Sequence, residues 1–279
     1  MSLLKRLSFP GRILAVALLV LMVLGGVASS ARAAGGSTSA NTLTIGWTIE
    51  PKTLDAAGYA QNPEIWVMVN IYDQLVRIGP DGTKLLPGLA TSWNLSKDGL
   101  TYTFHLRPNV VFQDGTKLTA EDVRFDFVRA MSPKTLWGWT LTAIKSVAAP
   151  DPSTVVFTLK HPWGPFLSDV ALFDTGIYPE AYFKKVGATY MGKHPVGTGP
   201  YALDSWVPGQ YVRLKKNTNY WNAAKYPMQY VEYDLIPNDN TRLLKVEAGQ
   251  LDVDNLLAPN LIGTVQKSST ASVLVNKST

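Results

Sequence analysis

The chain has no cysteine and only three histidines among its 279 residues. Without cysteine there is no disulfide, no thiol nucleophile, no cysteine-ligated metal and no N-terminal cysteine to carry a lipid. His105, His161 and His194 show no metal-ligand spacing, either among themselves or with carboxylates. The first falls on the polar side of an alternating segment and the other two each precede proline, so surface or turn positions account for all three. There is no Gly-x-Ser-x-Gly elbow, and Gly197-Thr198-Gly199-Pro200 lacks the Gly-Lys-Ser/Thr ending of a phosphate loop. Those glycines suit a tight turn or a close approach of two backbones. Glu121 and Asp122 are adjacent at a helix start, where the helix dipole favours acidic residues. The chain is expected to hold no catalytic constellation, no metal and no cofactor. Lysine and arginine are scattered without a block, which argues against a nucleic-acid partner.

What is present begins at the N-terminus. Lys5, Arg6 and Arg12 precede an uncharged apolar run from Ile13 to Leu24, and small residues lead to Ala31-Arg32-Ala33. A basic segment, a short apolar segment and an Ala-x-Ala site make a secretory signal peptide over residues 1–33. The apolar run is shorter than the roughly 20 residues a membrane-spanning helix needs. Removing the segment changes the charge argument. It holds four of the 26 basic residues (Lys5, Arg6, Arg12, Arg32) and none of the 21 acidic ones, so a formal charge of +5 becomes +1. The basic balance of the whole chain thus belongs to the export signal. Export without cysteine implies a fold held by its core, and a soluble periplasmic protein is the expectation. The roughly 245 residues that remain are enough for a sizeable core in one or two domains, and 8 Trp, 12 Tyr and 9 Phe supply it generously.

Residues 34–41 are small and polar and read as a disordered leader; the folded part is expected over 42–279. Thr42 to Trp47 alternates as a strand. Pro63 to Leu75 suits a helix with Ile65, Met68, Val69 and Tyr72 on its inward stripe. Leu100 to Leu106 alternates as a half-buried strand after the Asp98-Gly99 turn. A second turn at Asp114-Gly115 leads to a helix over 120–131, capped by Thr119 and carrying Val123, Phe127 and Ala130 on one face. Asp81 to Leu85 repeats at Asp114 to Leu118, but the flanks differ, so this is reused turn chemistry. Hairpins are expected around Pro150 to Ser153 and Pro208-Gly209. Short helices are expected over Pro165 to Leu172 and Pro179 to Val186. Gln229 to Ile236 reads as a strand, Asn240 to Ala248 as a helix ended by Gly249, and Leu251 to Val253 as the start of another strand. Many short strands with helices between them indicate a mixed α/β domain.

Several blocks carry a further signal. They are Glu50-Pro51-Lys52-Thr53-Leu54-Asp55, Tyr72-Asp73-Gln74-Leu75, and the run from Leu86-Pro87-Gly88-Leu89-Ala90 through Asp98-Gly99, Phe104-His105-Leu106-Arg107 and Asp114-Gly115 to Val123. Later come Pro195-Val196-Gly197-Thr198-Gly199-Pro200-Tyr201, Asn219-Tyr220-Trp221, and Glu247-Ala248-Gly249-Gln250-Leu251-Asp252-Val253. In this order, from about Asn41 to Val253, the chain resembles the dipeptide, oligopeptide and nickel class of extracellular solute-binding proteins of ABC importers, family 5. Asp73 stands where the family pattern has Glu.

The resemblance implies an α/β, mixed-sheet lobe of the two-lobed periplasmic-binding-protein fold (type II, cluster C-like). The chain reaches Thr279 soon after the block that precedes the crossing between lobes, so the second lobe is expected to be largely missing. The implied function is capture of a peptide or similar small polar solute in the periplasm and its delivery to a membrane permease, with no enzymatic activity and a monomeric state. One lobe alone is expected to bind weakly. Ligand contacts should come from loops facing the cleft. Tyr59, Gln61 and Asn62 offer an aromatic face and amides, Trp137 and Trp139 flank Gly138, and Phe173 and Asp174 lie before Ile177. Alternatives are a secreted interaction or sensor protein, a fragment without function, and a secreted hydrolase with an unrecognised site. Mass spectrometry of the exported protein is expected to show a mature terminus at Ala34; an intact Met1 in periplasmic material would overturn the cleavage reading.

Overall fold

The computed structural model describes residues 41–58 and 61–274, which lie within one compact unit. The expected signal peptide, leader positions 34–40 and Tyr59 lie outside the described residues. Asn41 does not belong to a loose leader. Its carbonyl accepts the backbone N–H groups of Gln229 (2.9 Å) and Tyr230 (3.0 Å).

The elements in chain order are β1 (Thr42–Trp47), α1 (Asn62–Ile71), β2 (Val76–Ile78), β3 (Leu85–Pro87), β4 (Ala90–Leu95), β5 (Thr101–Leu106), α2 (Ala120–Ala130), β6 (Ile144–Asp151) and β7 (Thr154–Leu159). There follow α3 (Phe166–Asp169), α4 (Glu180–Met191), β8 (Tyr201–Val207), β9 (Tyr211–Lys216), β10 (Tyr230–Leu235), α5 (Asp239–Glu247), β11 (Val253–Asp254) and α6 (Ile262–Val265). They make a five-stranded mixed sheet in the order β11-β1-β10-β9-β8, a four-stranded antiparallel sheet β4-β5-β7-β6 and a small β2-β3 hairpin. β1 runs parallel to both neighbours, from Thr42 opposite Tyr230 to Trp47 opposite Leu235, and beside Val253 and Asp254. No helix among the described residues is long and apolar enough to cross a membrane.

Each larger sheet has its own core. The four-stranded sheet turns Tyr102, Phe104, Val155, Phe157 and Leu159 inward, with Val123, Phe127 and Ala130 of α2 in the same cluster. Phe104 and Phe157 are fully buried and meet edge to face at 5.4 Å. Burial of this kind stabilises by about 1.5–3 kcal/mol per large apolar side chain. The period-two alternation of β5 and the three-residue spacing of α2 are what direct these groups to one side. Thr119 caps α2 as expected. Asp122 does more than complement the helix dipole: its Oδ2 accepts the Thr119 N–H (2.9 Å) and hydroxyl (2.7 Å), and its Oδ1 accepts the Glu180 N–H (3.0 Å). The glycines of the Asp-Gly turns, Gly82, Gly99 and Gly115, all take positive φ.

The second core joins the five-stranded sheet to α1 through Trp47, Val67, Met68, Ile71, Tyr72, Val231 and Tyr233. α1 corrects the expected stripe. It begins at Asn62 and ends at Ile71; Glu64, Val67, Met68 and Ile71 point inward, while Val69 is 44% exposed and Trp66 50%. Glu64 is drawn in because its carboxylate accepts the backbone N–H groups of Lys52 (2.6 Å) and Gln61 (2.9 Å), which rotates the buried face. Tyr72 leaves the helix in an extended conformation and donates its hydroxyl to the Leu54 carbonyl at 2.7 Å. The other short helices differ mainly in length. α3 is a single turn, and α4 runs on to Met191 across a break at Gly187, whose φ is 76°.

A seam of polar groups joins the two sheets. Gln113, in the turn before α2, donates Nε2 to the carbonyls of Ile71 (2.9 Å) and Tyr201 (2.8 Å), and its Oε1 accepts the Gly197 N–H (2.8 Å). Gly199 N–H donates to the Ile71 carbonyl at 2.8 Å. The segment Gly197 to Gly199 therefore lies directly on the end of α1. A Cβ on Gly197 would stand 2.2 Å from the Ile71 oxygen, and one on Gly199 would stand 2.6 Å from the same carbonyl. Gly197→Ala is expected to cost about 1–3 kcal/mol in urea denaturation. Gly263→Ala, where a Cβ meets nothing within 4 Å, should change stability little. Equal effects of the two substitutions would remove the steric account.

Candidate functional site

The parallel pairing of β1 with β10 and β11 brings three carboxyl ends, Trp47, Leu235 and Asp254, to one edge of the sheet. In open α/β sheets ligands bind outside the carboxyl ends of the strands, where the strand order reverses. β1, first in the chain, sits between two of the last strands, so this edge is such a place. Ile49, two residues past β1, is 62% exposed there, and Leu256, past β11, is 56% exposed. Glu50 is held in position: it accepts the Trp206 indole N–H at 2.7 Å and the Gly209 N–H at 3.1 Å. The Lys193 ammonium lies 3.5 Å from the centre of the Trp206 ring.

Arg242 organises the other two loops at this edge. Its side chain is fully buried in α5. Nε donates to Asp254 (2.9 Å), Nη1 to the carbonyls of Ile236 (2.8 Å) and Pro237 (3.2 Å), and Nη2 to Asp239 (2.6 Å) and the Leu256 carbonyl (2.9 Å). All five donors of the guanidinium fork are used, so its burial carries no unpaired group. The strand pattern offers no reason to single out this arginine; the Gly249-to-Asp252 block that follows it was the nearest signal.

Four of the residues expected from the sequence form one cluster. The rings of Trp137 and Trp139 are 5.9 Å apart, and Phe173 meets Trp137 edge-on at 5.1 Å. Trp139 is 67% exposed and Asp174 only 3%. Thr140 lies between Trp137 and Asp174, its hydroxyl 2.8 Å from the Trp137 carbonyl and 3.3 Å from the Asp174 carboxylate, with one proton for the two acceptors. Gln61 and Asn62 lie at the exposed start of α1, where Gln61 takes part in the capping box with Glu64. His105, His161 and His194 are all exposed.

Behind these surfaces lie buried charges. Arg129 bonds Asp55 through both terminal nitrogens and donates to the Tyr178 hydroxyl at 2.8 Å, tying α2 to the loops before α1 and α4. Removing one partner of such a buried pair costs about 3–5 kcal/mol. Asp73 accepts from the Tyr220 hydroxyl (2.9 Å), the Trp221 indole (3.1 Å) and the Thr198 hydroxyl (3.3 Å). Burial nevertheless pushes its carboxyl up to about 6, and burial does the same for Asp174. Burial also holds Asp126 well above the ordinary carboxyl range.

Comparison with known proteins decides what this arrangement belongs to. Residues 84–278 match the family model of bacterial extracellular solute-binding proteins, family 5 Middle. The chain belongs to this family. Di/tripeptide-binding protein 4 of Pseudomonas aeruginosa is 32% identical over 244 residues, which cover 79% of this chain and 46% of the relative. The murein tripeptide binding protein MppA of Escherichia coli superposes with a TM-score of 0.76 at 27% identity, over 84% of this chain and 49% of MppA. DppA of Helicobacter pylori, solved with the peptide STSA, gives 0.72 at 31% identity, over 81% and 48%. The chain spans about half the length of these relatives, and its mixed α/β sheets correspond to one lobe of their fold.

The buried carboxyls of this family 5 lobe set a pH response. Asp73 and Asp174 keep their protons up to about pH 6 when folded, against 3.8 for an ordinary aspartate. Between those values the folded protein binds more protons than the unfolded chain, so the stabilisation present at low pH is lost as pH rises through 6. The loss is on the order of 3 kcal/mol for Asp73. Hydrogen bonds hold Asp81, Asp98 and Asp151 below their ordinary values, and these act in the opposite sense at lower pH. Urea denaturation from pH 4 to 7 is expected to show stability falling, and Asp73→Asn should flatten the slope; an unchanged slope would refute the assignment.

Proposed function

We propose that this lobe forms one wall of a solute-binding cleft. In this reading the exported protein captures a peptide or similar small polar solute in the periplasm and delivers it to the permease of an ABC importer without chemical turnover. The observation that carries the reading is the match of the lobe to MppA and to peptide-bound DppA at TM-scores of 0.76 and 0.72. The carboxyl edge of the five-stranded sheet and the loops bearing Gln61, Asn62, Trp137, Trp139, Phe173 and Asp174 are the surfaces we assign to the ligand. Exposed Trp139 supports that assignment, because a large aromatic on a held loop offers contact area at low entropic cost. Arg242 and Glu50 act beneath the surface, fixing the loops after β10, β11 and β1.

Binding pockets typically enclose about 70–90% of a ligand, and one wall covers about half of that. Losing about 4 kcal/mol of contacts weakens affinity roughly a thousandfold. Titration of the full chain with di- and tripeptides is therefore expected to give weak saturable binding, tightened when the other lobe of a relative is supplied. Trp139→Ala should weaken binding about tenfold while leaving the unfolding midpoint unchanged. Release of amino acids from the peptides during the titration would overturn the reading in favour of a hydrolase.

A further inference from the structure

We propose that Trp137, Trp139, Phe173 and Asp174 form a subsite for a protonated amine of the bound solute. The proposal rests on the reading of this lobe as a ligand wall. Three observations converge on it.

The first is a preformed aromatic surface. Trp137 and Trp139 lie 5.9 Å apart with their planes 34° from each other, and Phe173 braces Trp137 from the side at 5.1 Å. The turn that carries them is tightly held. Thr140 N–H donates to the Trp137 carbonyl at 2.9 Å, Thr142 donates its hydroxyl to the Trp139 carbonyl at 3.1 Å, and a Cβ on Gly138 would meet the Ser132 oxygen at 2.8 Å. Trp139 remains 67% exposed although it sits on this rigid turn. Its exposure is therefore built in by the backbone and is not the result of a loose loop.

The second is an uncompensated acceptor next to that surface. The Asp174 side chain is 3% exposed; one oxygen accepts the long 3.3 Å bond from Thr140, and the other has no hydrogen-bond partner. No lysine, arginine or histidine forms an ion pair with it among the described residues. A buried carboxylate without a counter-charge is costly, and a cation brought close offsets that cost. The third observation concerns sign. Aromatic faces carry partial negative charge and attract ammonium groups, most strongly for tryptophan. Rings and carboxylate thus favour the same charge on a ligand. An anion would be repelled by both, and a neutral ring could stack on the tryptophans but would leave Asp174 unanswered.

The test uses ligand-observed NMR titration of the full chain with trialanine and with N-acetyl-trialanine, which differ in the amino-terminal charge. Trialanine is expected to bind about fivefold or more tightly, in the range that cation–π contacts supply. Asp174→Asn and Trp139→Ala should each bring the two peptides towards equal affinity, with the acetylated peptide little affected by Asp174→Asn. Trp139 is exposed, so that variant keeps the test open even where a change at buried Asp174 impairs folding. Equal affinities in the unaltered chain, or a preference that survives in Trp139→Ala, would overturn the amine subsite and leave the ligand-wall reading intact. Absence of binding by either peptide at millimolar concentration would overturn the ligand-wall reading, and the subsite with it.

Discussion

Everything in this lobe depends on how closely the segment Gly197 to Gly199 approaches the end of α1. The two sheets have separate cores. They are joined where the Ile71 carbonyl accepts from both Gly199 N–H and the Gln113 side chain, at 2.8 and 2.9 Å. Only glycine fits there, since a methyl group at either position would meet the Ile71 backbone at 2.6 Å or less. Asp73, next to this contact, then gathers Thr198, Tyr220 and Trp221 around one buried carboxyl. Arg107 lies 3.9 Å from the centre of the Trp221 ring and continues the seam into β5's end of the four-stranded sheet. The most recognisable words of the sequence thus meet at one place.

The same economy governs buried charge. Arg129 is matched by Asp55 and Tyr178, and Arg242 by two aspartates and three carbonyls, so each guanidinium has a counter-charge. Arg129 reaches residues 74 and 49 positions away and Arg242 gathers the loops on either side of its own helix, which is where a multi-donor, always-charged group outperforms lysine. Asp174 breaks the pattern. It is buried with one oxygen unanswered, as Thr44, Asp126 and Asp254 also are, and among these it is the one that belongs to the Trp137–Phe173 cluster.

The fold was legible in the sequence wherever local periodicity and caps acted alone. β5, the Thr119 cap, the Asp-Gly turns and the inward face of α2 follow from alternation, helical spacing and glycine's access to positive φ. α1 did not follow, because the pull of two backbone N–H groups on Glu64 outweighed apolar spacing and brought Glu64 inward while Val69 stayed outside. Of the site, the Trp137–Phe173 grouping was anticipated as separate loop residues. Arg242, Glu50 and the edge formed by β1, β10 and β11 were not, since their roles arise from strand order.

The sequence by itself determined the family, the mixed α/β character, the Asp-Gly turns and the Thr119 cap, because these depend on contacts within a few positions or on motif order. Tertiary structure alone decided that β1 lies between β10 and β11 and parallel to both, that Gly197 and Gly199 are needed for contact with α1, and that Asp174 is buried within reach of the Thr140 hydroxyl. The physical reason is distance along the chain. These relations join residues tens to hundreds of positions apart, and pairing, close approach and desolvation exist only once the chain has folded.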